Sequence, residues 1–148
     1  MARHPEAQQK MLEEVNEALG SDTQLREEHL AKLPYVKGVI KEALRLYPVA
    51  PFLTRVLDQD VTLNGYNIPS GKMIVMSLYT TGRDEKYFSS ASEFKPERWV
   101  RKKDGGSHEV INSYANIPFG LGVRSCIGRR VAEVQMQLLL SRVSEFAS

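Results

Sequence analysis

The chain contains one cysteine, which lies in a glycine-rich, positively charged loop. Residues 117–130 read IPFGLGVRSCIGRR, so Cys126 follows Gly120 and Gly122 and precedes Gly128. A thiol in such a loop can act as a nucleophile, contribute to a phosphate-binding loop, bind a metal, or fill space as a small apolar side chain. The neighbouring residues favour some of these roles over others.

A catalytic cysteine needs a base, usually histidine, and we expect His4, His29 and His108 to be exposed in polar surroundings. A phosphate-binding P-loop has Gly-Lys-Ser/Thr where residues 128–130 read Gly-Arg-Arg. A merely buried cysteine leaves the glycines unexplained, because glycine weakens packing unless the backbone must approach something closely. A metal-bound thiolate explains more, since the N-terminus of a following helix stabilises its charge and glycines let the main chain lie against a flat ligand.

Three motifs resemble those of one family, in that family's order. The stretch 119–128 resembles the Phe-x-x-Gly-x-Arg-x-Cys-x-Gly signature of the cytochrome P450 haem-thiolate monooxygenases at every fixed place. Residues 42–45 (EALR) resemble the family's Glu-x-x-Arg, and residues 94–99 (FKPERW) resemble its Pro-Glu-Arg-Phe segment, with Trp99 in place of phenylalanine. The resemblance covers essentially the whole chain.

The resemblance implies a haem site and assigns roles to particular residues. It makes Cys126 the axial thiolate ligand of the haem iron and assigns no catalytic residue within the chain. Gly122 would help to form the tight loop around the sulfur, and the remaining haem contacts would be Phe119, Gly120, Arg124, Gly128, Ala132 and Arg55, with the arginines paired to the propionates.

Two further groups of residues gain a role from the resemblance. Glu42, Arg45 and Arg98 would form a buried structural network, whereas without the resemblance Glu42 and Arg45 would be an ordinary surface pair at i,i+3 spacing. An apolar segment would line the pocket of a lipophilic substrate, and its members are Val49, Ala50, Pro51, Phe52, Leu53 and Thr54.

Four basic residues bear on the electron donor: Lys37, Lys41, Arg129 and Arg130. On composition alone they are solvated charges. The Cys-Ile-Gly-Arg-Arg stretch is similar to the animal mitochondrial members, and this implies that the four residues dock an acidic, adrenodoxin-like ferredoxin with its NADPH-dependent reductase. The expected reaction is O2-dependent hydroxylation of a lipophilic, steroid-type substrate at the matrix side of the mitochondrial inner membrane. The alternative location is the endoplasmic reticulum membrane.

Composition limits the other possibilities. The 148 residues carry a formal net charge of +2 and are 42% hydrophobic, which suits one domain and gives no reason to expect a nucleic-acid partner. A single cysteine excludes an intramolecular disulfide. No window approaches the roughly 20 apolar residues of a membrane span, so we expect membrane association only through segments outside this chain.

The elements that must position these residues follow from hydrophobic period and turn residues. We predict helices over 1–20, 34–47 and 126–147, a β-hairpin region over 54–79 with its turn at Asn64-Gly65, and a meander with the cysteine loop over 83–125. Within these, KMIVMSLY predicts a mostly buried strand, KKDGGSH a flexible segment, and the last helix an apolar series at helical spacing: Val131, Val134, Leu138, Leu139 and Val143.

The expected fold is mainly α with a small β part (α+β), and the resemblance makes it the C-terminal, proximal-side portion of a P450. The distal helix of that family has no counterpart in this chain. An alternative function is therefore that of a truncated, non-catalytic remnant that binds haem or ferredoxin.

Overall fold

The structure is a computed structural model that describes residues 3–22, 24–100 and 111–146. Within these ranges the chain forms helices α1 (Pro5–Leu19), α2 (Glu27–Leu30), α3 (Pro34–Leu46), α4 (Leu78–Thr81) and α5 (Arg129–Phe146). The strands are β1 (Phe52–Val56), β2 (Val61–Leu63), β3 (Tyr66–Ile68) and β4 (Met73–Ser77), and the 3-10 turns are Pro96–Trp99 and Gly122–Arg124. This content confirms the expected α+β class. The KKDGGSH segment lies outside the described residues.

No helix among the described residues combines the length and apolar character needed to cross a bilayer.

Helices α1, α3 and α5 pack together and enclose the main core. Proline stands in the first turn of both α1 and α3, where its missing N–H costs nothing. Gly20 ends α1 at φ 57°, in the left-handed region that glycine adopts without strain. The buried core residues are Met11, Val15, Leu30, Leu33, Tyr35, Val36, Val39 and Ile40, with Met136 and Leu140 of α5 packed against them.

Helix α5 turns its more polar side inward. Gln137, Ser141 and Ser144 are buried, and no hydrogen-bond partner among the described residues reaches the Gln137 Oε1 or Ser141 Oγ atoms. The five apolar residues whose spacing predicts the helix are instead exposed: Val131, Val134, Leu138, Leu139 and Val143. Helical period therefore predicts the element but not the side that faces the core.

The strands form two separate antiparallel pairs. In the β2–β3 hairpin Leu63 faces Tyr66, and the turn residues Asn64 and Gly65 have φ of 49° and 84°, as the asparagine–glycine pair predicts. Strand β4 pairs with β1, but the prediction that it is mostly buried is wrong, because Met73 and Val75 are more than half exposed. Only Ile74 and Ser77 of β4 are half-buried, and no residue of this strand is fully buried.

Candidate haem-thiolate site

Two glycines bend the cysteine loop back on itself. Gly120 and Gly122 have φ of 71° and 67°, a region that side-chain-bearing residues rarely adopt. The bend lets the Cys126 N–H donate to the Phe119 carbonyl at 2.8 Å, while the Gly120 N–H donates to the Ile117 carbonyl at 2.8 Å. Backbone hydrogen bonds thus fix the position of the cysteine without using its side chain.

Cys126 is exposed and stands just before α5. Its carbonyl accepts from the Arg129 N–H at 3.3 Å, and the Gly128 carbonyl accepts from the Ala132 N–H at 2.9 Å as the helix begins. Its neighbour Ile127 is also fully exposed. The interpretation of the cysteine as a small buried residue is therefore wrong, because the tight loop turns the thiol outward.

The two described histidines have partners of their own. His29 is buried rather than exposed as predicted, because its ring caps the short helix α2: Nδ1 accepts from the Arg26 N–H at 2.9 Å, and Nε2 lies 3.1 Å from Asp22 Oδ2. His4 is exposed and stacks on Phe94 with ring centres 4.7 Å apart. His108 lies outside the described residues.

The carboxylate of Glu42, in the third turn of α3, is fully buried and accepts five hydrogen bonds. Arg45 makes a two-pronged contact through Nη2 to Oε1 at 2.7 Å and through Nε to Oε2 at 2.9 Å. The other donors are the Lys95 N–H (2.9 Å) and Arg98 Nε (3.0 Å) to Oε1, and Trp99 Nε1 (2.8 Å) to Oε2. A carboxylate offers about four lone-pair positions, so its capacity as an acceptor is filled.

Arg45 uses all five of its guanidinium N–H donors. Two go to Glu42, and the other three go to backbone carbonyls in residues 82–93: Gly82, Ala91 (2.6 Å) and Glu93 (2.9 Å). One buried side chain on α3 therefore holds three points of an irregular segment, whose carbonyls would otherwise lack partners in the interior.

Arg98 continues the network from the meander side. Its Nε donates to Glu42, and its Nη2 donates to the Ser89 carbonyl at 3.0 Å. The buried ring of Phe88 lies near both guanidinium groups, with its centroid 5.0 Å from Arg45 Cζ and 6.0 Å from Arg98 Cζ. Both distances are within cation–π range, so an aromatic face assists the single carboxylate in balancing two buried cations.

These contacts decide the charge of Glu42. Burial by itself would raise the pKa of its carboxyl, but hydrogen bonds from Arg45, Lys95 and Trp99, together with the positive charge of Arg45, outweigh burial and leave the pKa below its usual range. Glu42 is therefore ionised at neutral pH and serves as the counterion of both arginines.

Sequence reasoning missed several residues of this network. In the sequence Trp99 is only a departure from the phenylalanine of the motif, because its acceptor Glu42 lies 57 residues earlier. A side chain at Gly38 would place its Cβ 2.8 Å from the Pro96 carbonyl, so glycine lets α3 approach the Pro96–Trp99 turn. Phe88 carries no sequence signal of its role, because its neighbours are distant along the chain.

A second set of carboxylates ties α1 to α3. Glu14 accepts the backbone N–H groups of Tyr35 (2.8 Å) and Val36 (2.9 Å), and so caps α3 from another helix. Burial raises the pKa of Glu14, with these two hydrogen bonds opposing it. Glu97 accepts from Lys10 Nζ at 2.7 Å and from the Tyr35 hydroxyl at 3.1 Å, which links α1, α3 and the meander.

The remaining predicted residues lie at the surface. Arg124 is exposed in the Gly122–Arg124 turn, and Arg55 is exposed on β1, where its Nη1 donates to the Thr54 carbonyl at 2.7 Å. The segment 49–54 is exposed except for the half-buried Leu53. Its apolar side chains therefore face solvent among the described residues.

The structure brings two of the four basic residues to one cleft. Lys41 and Arg129 both line a cleft of about 330 Å3 between α3 and the cysteine loop, with Ile40, Leu44 and Phe119 among its apolar walls. Arg129 Nε also donates to Glu133 Oε1 at 2.9 Å. Lys37 is half-buried and Arg130 is exposed, and neither lines this cleft.

The described loop fits the haem that its motif implies. The thiol at Cys126 is exposed, the adjacent backbone is bent by glycines, and the nearby Ile127 and Val123 present uncovered apolar surface next to it. Arg124 adds an exposed cation of the kind that pairs with carboxylates. A flat, apolar, carboxylate-bearing group with a thiophilic iron matches this set of donors and surfaces.

Comparisons with known proteins identify the family of this chain. The family model described as Cytochrome P450 matches residues 1–145. Cytochrome P450 27C1 of Danio rerio is 42% identical over 143 residues, which cover 97% of this chain and 26% of that protein. The mitochondrial 1,25-dihydroxyvitamin D(3) 24-hydroxylase of Rattus norvegicus is 40% identical over 140 residues, 95% of this chain and 26% of that protein.

The mitochondrial sterol 26-hydroxylase of Mus musculus is 38% identical over 144 residues, 97% of this chain and 27% of that protein. The chain thus spans about a quarter of the length of the curated relatives it matches. The match of the family model along nearly the whole chain, and identities near 40%, show that this chain belongs to the cytochrome P450 family.

Proposed function

We propose that this chain is part of a haem-thiolate monooxygenase that hydroxylates a lipophilic, steroid-type substrate with O2 and electrons from a ferredoxin. The observation that carries the proposal is the exposed Cys126, held by backbone hydrogen bonds at the start of α5. When bound, haem on an axial thiolate supplies the chemistry that splits dioxygen. The residues of this chain hold the haem, orient it and receive the electron donor.

The cysteine loop provides the haem contacts in this proposal. Cys126 would be the thiolate that binds the haem iron; it is exposed in the loop that bends at Gly120 and Gly122. Phe119 would pack beside the sulfur, and Gly128 and Ala132 would let the first turn of α5 lie close to a bound ring. Arg124 and Arg55 would pair with its propionates.

The buried network supports this loop from behind. Glu42, Arg45 and Arg98 join α3 to the meander that leads into the cysteine loop, and none of them reaches solvent. We assign them a structural role, since Glu42 is hydrogen-bonded to both arginines and the arginines also donate to backbone carbonyls. Their contribution is to hold residues 82–99 against α3.

The substrate and cellular site are proposed from the relatives. The curated relatives named above include a vitamin D hydroxylase and a sterol hydroxylase, both named mitochondrial. The exposed apolar segment 49–54 suits a lipophilic substrate of that class. We place the protein at the matrix side of the mitochondrial inner membrane.

The electron donor proposed is an acidic, adrenodoxin-like ferredoxin served by an NADPH-dependent reductase. Lys41 and Arg129 line one cleft on the side of the cysteine loop, and Lys37 lies one turn before Lys41 on α3. In this proposal Lys37 and the exposed Arg130 add to the positive charge of Lys41 and Arg129, and association steered by such charges weakens as salt rises.

The experiment uses the full-length polypeptide translated from the transcript that encodes these residues. Its reduced, carbon monoxide-treated form should show the absorption maximum diagnostic of thiolate ligation. Cys126→Ala should lose that maximum, and Ser125→Ala, which changes the exposed neighbouring residue, should keep it. An unchanged thiolate spectrum in Cys126→Ala would refute the assignment.

A second candidate applies to the 148-residue chain by itself, which we propose has no turnover and binds haem or ferredoxin only. The observation that favours it is the exposed apolar series on α5, which no described residue covers. Turnover of a steroid-type substrate by this chain, supplied with haem, ferredoxin and reductase, would refute the second candidate.

A further inference from the structure

Trp99 connects the buried network to the proposed docking surface. Its indole N–H donates to Glu42 Oε2 at 2.8 Å, and the face of its ring lies 5.6 Å from Lys41 Nζ. The same half-buried side chain therefore touches a fully buried carboxylate on one side and an exposed ammonium group on the other.

The ring is held firmly enough to direct a flexible lysine. The hydrogen bond to Glu42 fixes its edge, and the buried ring of Phe88 lies against it with ring centres 6.3 Å apart and planes tilted by 52°. Because Glu42 is itself fixed by Arg45 and Arg98, the indole cannot turn without losing its hydrogen bond to Glu42. Lys41, in contrast, ends a long flexible stem whose ammonium group has many positions in solvent.

The contact between Lys41 and the ring restricts those positions. The distance is within the range of about 6 Å at which an ammonium group is attracted by an aromatic face, and tryptophan has the strongest such face. Donation of the indole N–H to a carboxylate adds electron density to the ring, since hydrogen-bonded groups polarise one another. Both residues also line the cleft that Arg129 shares.

We infer that Trp99 is a positioning residue for the electron donor: it holds the Lys41 ammonium group at the rim of the cleft, where an acidic side chain of the ferredoxin would pair with it. This inference rests on the proposed function. The role is not catalytic, because Trp99 acts on the partner only through Lys41. A positioned cation loses less side-chain freedom on docking, and this preorganisation favours binding.

The test is a pair of double-mutant cycles in the haem-loaded, full-length polypeptide, with the affinity for an adrenodoxin-like ferredoxin measured at low salt. Trp99→Leu should raise the Kd two- to five-fold, about the effect of one exposed cation–π contact. Trp99→Phe, which keeps a ring, should raise it less. In a Lys41→Gln background neither change should alter the Kd further, whereas in a Lys37→Gln background both should act in full.

The controls separate positioning from loss of structure. The thiolate spectrum and haem content should be unchanged in every variant used, and if Trp99→Leu does not retain haem the comparison is made with Trp99→Phe. Equal effects of the Trp99 changes with and without Lys41 would overturn the inference while leaving the docking proposal intact. If neither Lys41→Gln nor Lys37→Gln changes the Kd, the inference and the docking proposal are both overturned.

Discussion

The replacement Glu42→Gln tests the central structural argument, because it changes one oxygen to an amide group and leaves the size of the side chain unchanged. Oε1 accepts three hydrogen bonds and Oε2 accepts two. Whichever position the new NH2 group takes, at least two donors lose their acceptor, and one of them is always a buried N–H group of Arg45. Arg45 and Arg98 also lose their shared counterion.

The expected loss in the free energy of unfolding can be calculated in two ways. Each buried donor left without an acceptor costs about 1–3 kcal/mol, so two of them cost about 2–6 kcal/mol. Breaking a buried ion pair by removing one partner costs about 3–5 kcal/mol. The two ranges agree, and we expect the free energy of unfolding to fall by about 3–5 kcal/mol, a large share of the roughly 5–15 kcal/mol of a typical domain.

Urea unfolding of the chain provides the assay, followed by far-UV circular dichroism and by the fluorescence of Trp99, the only tryptophan. At an m-value of about 2 kcal/mol/M the midpoint should fall by about 1.5–2.5 M. The matched control is Glu93→Gln, since the exposed Glu93 contributes only its backbone carbonyl to Arg45. It should shift the midpoint little. A loss below about 1 kcal/mol in Glu42→Gln would refute the reasoning.

The same network makes stability dependent on acid. Because the folded-state pKa of Glu42 is lowered from its ordinary 4.5, its stabilisation is complete above pH 4.5 and is lost as the pH falls through the lowered value. The free energy of unfolding of the unmodified chain should therefore decline below pH 4.5. Glu42→Gln should show a smaller decline, and an equal decline in both chains would contradict this assignment.

Three further changes test the supporting contacts, each by urea unfolding or amide exchange. Gly38→Ala should destabilise the chain by about 1–3 kcal/mol, because the new methyl group meets the Pro96 carbonyl. An increase in stability of about 1 kcal/mol, which is the usual effect of replacing glycine by alanine in a helix, would contradict this prediction. Glu14→Ala should cost about 0.5–2 kcal/mol by uncapping α3, with exposed Glu17→Ala near neutral. Gly65→Ala should raise the rate of amide hydrogen exchange in β2 and β3, because residue 65 has a φ of 84° that alanine adopts only with strain, whereas Asn64→Gly should leave that rate unchanged.

Local signals predicted several features of this protein from sequence. Proline in the first turn and a glycine after the last mark the ends of α1, and the Asn64-Gly65 pair predicts the hairpin turn. The motif around Cys126 predicted the family, and its glycines predicted the bend that the structure shows at Gly120 and Gly122. These features depend on residues within a few positions of one another, so the sequence alone can predict them.

Other features depend on which distant segments meet, and only the tertiary structure decided them. The side of α5 that faces the core, the exposure of β4 and the burial of His29 follow from neighbours far along the chain. The role of Trp99 in the network likewise depends on Glu42, which lies 57 residues earlier. Residue types and spacing therefore determined the glycine-bent loop around Cys126. Long-range packing determined the convergence of five donors on the buried carboxylate of Glu42, because those donors come from distant parts of the chain.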